Sequence, residues 1–109
     1  MRLEDWEIEG LIRAVENTLQ KNHIPLSGVR LYLYGSRIDD KKKGGDIDLL
    51  LRTPEAILMA VKKQSISLNT DMQNRIGEQK IDLLIVSDQP PQDPFHEIAI
   101  EQAVLIKAW

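Results

Sequence analysis

With 109 residues, 42% of them hydrophobic and 28% charged, the chain has room for one small domain, residues 1–109, around one core. It carries no apolar run long enough for a bilayer and no signal-peptide core behind its acidic start, so a cytoplasmic location is expected. Zero cysteines exclude disulfides and thiolate metal sites, and a net charge of −3 removes any global attraction to nucleic acid.

From Asp5 to about Asn22, Trp6, Ile8, Leu11, Ile12, Val15 and Leu19 recur at helical spacing, with Glu7, Glu9, Arg13, Glu16 and Lys21 on other faces. Ile24-Pro25-Leu26-Ser27-Gly28 turns the chain into a strand, in which Val29, Leu31 and Leu33 alternate with Arg30, Tyr32 and Tyr34. Gly35-Ser36 breaks that strand and can open a short helical turn. A polar loop follows, Asp39 to Gly45, whose Lys41-Lys42-Lys43 run is best read as solvated beside Asp39-Asp40.

The second strand, Asp46 to Arg52, sets Asp46, Asp48 and Leu50 on one side and Ile47, Leu49 and Leu51 on the other. Thr53-Pro54-Glu55 starts the next helical region, where Ile57, Leu58, Val61, Leu68, Met72 and Ile76 form a stripe broken around Gln64 to Ser67. One long helix or two shorter ones fit, ending before Gly77. A third strand spans Lys80 to Val86, with Asp82 and Leu84 opposite Ile81, Leu83 and Ile85. After a proline-bearing loop, Phe95, Ile98, Ala99, Ala103 and Ile106 predict a closing helix from Phe95 to Lys107. The order α-β-turn-β-α-β-α is that of an α/β (α+β) domain, a small mixed sheet of three or four strands flanked by helices.

The chemistry lies in Tyr34-Gly35-Ser36-Arg37 followed by Asp46-Ile47-Asp48. A Gly-Ser at a strand exit offers backbone N–H groups and a hydroxyl to a phosphate, with Gly35 letting backbone come close. Two carboxylates at i and i+2 point to one side of a strand and can hold divalent cations against a triphosphate. An isolated D-x-D facing water is common, but here the flanking residues are apolar, where unpaired acids are costly. Asp82 is the candidate third acid: if its strand neighbours the second in register, it joins the pair and can take a proton from an attacking hydroxyl. Arg37 either neutralises triphosphate charge or is solvated. Tyr32, Tyr34 and Arg30 share a face that could stack a base, with core packing the plainer account. His23 and His96 have no spacing partner and fit capping or surface roles, while Trp6 and Trp109 fit core or interface anchors.

Gly35-Ser36, Asp46-x-Asp48 and the later strand acid Asp82 together resemble the DNA polymerase beta-like nucleotidyltransferase superfamily, and the short chain resembles its minimal nucleotidyltransferases. The resemblance implies a nucleotidyltransferase fold and two Mg2+ ions. Asp46 and Asp48 would ligate both ions, Asp82 would ligate the ion that activates the acceptor, and Gly35, Ser36 and Arg37 would lie at the triphosphate. It also implies a HEPN-type partner protein, to which AMP from ATP would be transferred by the chain acting as an antitoxin. On that reading the acceptor site is expected from a partner or a second copy of the chain. Two other readings stand beside it: a non-catalytic module that masks a helical partner, and transfer to a small molecule such as an aminoglycoside. Nucleic-acid synthesis is disfavoured by the net acidity.

Overall fold

The computed structural model describes residues 3–35, 46–90 and 94–109. In chain order these form α1 (Asp5–Lys21), β1 (Arg30–Tyr34), β2 (Ile47–Thr53), α2 (Leu58–Lys62), α3 (Ser65–Ile76), β3 (Ile81–Ser87), α4 (Pro94–Gln102) and β4 (Val104–Ala108). The strands make one sheet in the order β3-β2-β1-β4. β1 runs antiparallel to both β2 and β4, whereas β2 and β3 are parallel, joined through α2 and α3. The expected class, a small mixed sheet flanked by helices, is what the chain adopts.

Strand alternation decides which side of the sheet is the core. Leu31, Leu33, Ile47, Leu49 and Leu51 are fully buried and meet Leu11, Val15 and Leu19 of α1 with Leu68 and Met72 of α3. Gly10 lets these two helices close up: a Cβ there would lie 2.7 Å from Ile76 Cγ2. The opposite face carries a smaller apolar cluster, Leu50 and Val86 with Tyr32, Tyr34, Leu84 and Ile100 of α4. The tyrosines therefore pack, though on the face that also bears the acids.

The buried stripe of α1 differs from the expected one at its first turn. Glu7, four residues before Leu11, falls on the stripe and is buried, while Trp6 is rotated off it and is 58% exposed. Glu7 is satisfied there, accepting from the Glu4 backbone N–H and from Gln79 Nε2, each at 3.0 Å. Trp6 is thus no core anchor. At the other end His23 takes a left-handed backbone (φ 58) in a Schellman-type stop, with His23 N donating to Gln20 O and Ile24 N to Leu19 O.

Two expectations about later elements are corrected or resolved. The middle helical region is two helices, α2 and α3, preceded by a single 3-10 turn at Glu55–Ile57. The closing helix ends at Gln102 rather than Lys107, and the chain becomes β4, so the order gains a final strand. The apolar run Val104-Leu105-Ile106 fits a helical period and a strand equally; the open edge of β1 supplies the ladder that decides for the strand. Trp109 continues it, donating N–H to Val29 O and accepting from Gly28 N, and its indole Nε1 donates to Glu16 at 2.9 Å.

A polar cluster around Asp71 ties α1 to α3. Asp71, its side chain 13% exposed, accepts from Asn17 Nδ2 at 2.8 Å, from Thr18 Oγ1 at 3.3 Å and from Arg75 Nε at 2.8 Å. Burial pushes its pKa up, but the hydrogen bonds from Asn17, Arg75 and Thr18 and the Arg75 charge outweigh that and hold it below the ordinary 3.8. The ionised form is therefore favoured by folding. Its contribution is complete above pH 3.8 and is lost as pH falls through the lowered value. Asp71→Asn is expected to remove about 1–2 kcal/mol at neutral pH. Thermal melts of both proteins from pH 6 downward should show that gap closing in acid; a constant gap would refute the linkage.

Candidate active site

The acids converge where three strand ends meet on the face opposite the main core. β1 leaves the sheet at Tyr34-Gly35, and β2 enters it beside that exit. Asp46 directly precedes β2, rather than lying within it, and Asp48 is its second residue. Alternation explains the local split: Ile47 and Leu49 go to the core, leaving Asp46 and Asp48 half-buried on the other side.

The register condition on Asp82 is met. In the parallel β2–β3 ladder Asp48 is paired with Asp82, and on its other side Asp48 is paired with Tyr34 of β1. Asp82 is exposed at the sheet margin, since β3 is an outer strand. Asp48 feels this crowding. Burial, then the charges of Asp82 and Asp46 and a hydrogen bond to Asp82, raise its pKa above 3.8, opposed only by the Lys80 ammonium. The Tyr34 phenol is likewise pushed up, first by burial and then by the Asp48 and Asp82 charges.

Asp46 turns toward Lys80, whose Nζ lies 3.3 Å from Asp46 Oδ2, with the lysine side chain 72% exposed and the aspartate 41%. Hydrogen bonding to Asp46 and its charge, with the Asp82 charge behind them, raise the Lys80 pKa. The sequence reading did not single out Lys80. Its signal was available, because two residues before Asp82 is the spacing that puts a side chain on the same side of a strand.

Gly35 has a role beyond the one expected of it. Its backbone is left-handed (φ 79), and a Cβ there would overlap Asp48 Oδ2 and come within 3.1 Å of Asp48 Cγ. The missing side chain thus makes space for the Asp48 carboxylate itself. Ser36 and Arg37 lie outside the described residues, as do Asp39, Asp40 and the three lysines of the loop.

Among the described residues no group of three His, Cys, Asp or Glu side chains is arranged ready for a metal ion. Asp48 and Asp82 are paired across the strands, while Asp46 is held by Lys80. The donor chemistry nevertheless fits a hard divalent cation: only carboxylate oxygens are offered, and two of them repel each other for want of a positive charge between. His23 is exposed, just beyond the end of α1.

No protein-family model matches this chain. No curated protein matches it either. Among solved structures it is similar to a presumptive nucleotidyltransferase from Sulfolobus solfataricus, with 18% identity over 96% of this chain and 89% of that one, at a TM-score of 0.48. In addition, no helix among the described residues is long and apolar enough to cross a membrane.

Proposed function

We propose that this chain is a Mg2+-dependent nucleotidyltransferase that moves AMP from ATP to a hydroxyl acceptor. The observation that carries the reading is the pairing of Asp48 with Asp82 on adjacent parallel strands, with Asp46 two residues earlier on the same side. Like charges placed directly opposite on a sheet are destabilising, so their presence calls for a function that uses them.

Asp46 and Asp48 would hold the metal ions, with Asp46 exchanging its Lys80 partner for them, and Asp82 would complete one of the two sites. When bound, the ions supply neutralising charge to the triphosphate and its leaving group. Asp82, the most exposed of the three, is placed to accept the proton of the acceptor hydroxyl. The acceptor oxygen then bonds to the α-phosphorus as the bond to the β-phosphate oxygen breaks, and pyrophosphate departs. Asp48 is held in position by its strand and by the space above Gly35. Gly35-Ser36 would lie along the triphosphate, with Arg37 beside it.

The acceptor in this reading is a HEPN-type partner protein, the chain serving as its antitoxin in the cytoplasm; support for that comes from the motif resemblance alone. The Asp46–Lys80 ion pair is the observation on the side of the second reading, a partner-masking module that binds no metal. Calorimetry decides between them. MgATP titrated into the wild type should bind, with binding lost in Asp46→Asn/Asp48→Asn and on removal of Mg2+. Equal silence from the two proteins would sink the catalytic reading for the isolated chain.

A further inference from the structure

The acid-bearing face of the sheet has a second, oppositely charged end. Along β2, Asp48, Leu50 and Arg52 share that face, and four residues of strand separate Asp48 from Arg52 by roughly 13 Å. Arg52 is the cross-strand partner of Arg30 on β1. The two arginines therefore sit directly opposite on neighbouring strands, as the paired aspartates do at the other end, and like charges so placed are unfavourable within a sheet.

Among the described residues neither arginine forms an ion pair with a carboxylate. Arg52 is held by one bond, Nη2 donating to the backbone oxygen of Asp88 at 2.9 Å, while its Nε is shielded from solvent and has no hydrogen-bond partner. A buried unpaired donor is rare enough in folded proteins to need an explanation, and a bound ion is one that suits a guanidinium. Around these groups lies a cleft of about 280 Å3 lined by Gly28, Arg30, Arg52 and Asp88. Asp88 is the one acidic residue of this lining, against two basic ones.

We propose that Arg30 and Arg52 form an oxyanion site for a phosphate-bearing ligand. Planar guanidinium forks suit phosphate oxygens, and the backbone bond to Asp88 fixes one fork before the ligand arrives. The assignment stands without the nucleotidyl reading; together they describe a face that grips a metal–triphosphate at one end and a second phosphate about 13 Å away.

The test is a titration with inorganic phosphate at constant ionic strength, followed by amide and Arg Nε–H chemical shifts. The wild type should show saturable shifts centred on Gly28, Arg30 and Arg52. Arg30→Gln and Arg52→Gln should each weaken binding at least tenfold, and Asp48→Asn should leave it unchanged. Non-saturating shifts, or the same affinity in Arg30→Gln, would overturn the site. Arg30 is exposed, so that variant decides the matter even if Arg52→Gln misfolds. MgATP titrated into the arginine variants then separates two sources of the phosphate. Unchanged affinity places it on the acceptor, and a tenfold loss places it on the nucleotide. Absence of ATP binding in the wild type would count against the nucleotidyl reading alone, with the phosphate titration still deciding this one.

Discussion

Gly35→Ala is expected to be the most damaging single substitution in the site, lowering stability by about 2–5 kcal/mol. Two separate terms add. The left-handed backbone (φ 79) disfavours any residue with a Cβ by about 1–2 kcal/mol. Overlap of the new methyl with the Asp48 carboxylate adds about 1–3 kcal/mol, because Asp48 sits in a paired strand and cannot retreat freely. A double-mutant cycle separates them. Asp48→Ala removes the carboxylate but keeps the strand, so Gly35→Ala in that background should show only the backbone term. Denaturant melts of the four proteins give the coupling directly. If Gly35→Ala costs the same in both backgrounds, the glycine does not serve to seat Asp48.

Asp48→Asn should do the reverse, making the protein more stable while impairing the proposed nucleotidyl transfer. The native Asp48 pKa is raised, chiefly by burial and then by the neighbouring acids, so folding favours its protonated form. The sign is opposite to that of Asp71: the ionised carboxylate penalises the fold above the raised pKa, and the penalty fades as pH falls toward 3.8. Removing one member of a like-charged cross-strand pair is worth roughly 0.2–1 kcal/mol, which in a domain of this size corresponds to about 1–6 °C in Tm. The gain should appear at pH 7 and vanish in acid. Nucleotidyl transfer should fall by at least about a hundredfold, as expected when a group acting on the reacting centre is lost. A variant no more stable than the wild type at pH 7 would show that the acids do not strain the fold.

Much of this site was readable from residue order because strands impose a period of two. That period put Asp46 and Asp48 on one side, set Ile47 and Leu49 against the core, and made the pairing of Asp82 depend on a single register. The register itself belongs to the β2–β3 ladder, which residue order does not contain. Likewise β4 was hidden: Val104-Leu105-Ile106 becomes a strand because β1 has a free edge, a fact about the sheet and not about those residues. The burial of Glu7 and exposure of Trp6 were available from helical spacing, since only Glu7 is a multiple of one turn from Leu11.

The position of Asp82 on an outer strand has a further consequence, for solubility. Ile81–Ser87 reads Ile-Asp-Leu-Leu-Ile-Val-Ser, and among the described residues no strand pairs with its outer side. A seven-residue edge that is apolar, β-branched and free of proline is the kind of segment that recruits other chains into intermolecular sheets. Asp82 is its one charge. The acid proposed for proton transfer is therefore also expected to guard the molecule against self-association, and a neutral substitution would remove both roles at once. An Asp82→Asn protein should accumulate as aggregate on mild heating where Asp82→Glu and Asp48→Asn remain clear.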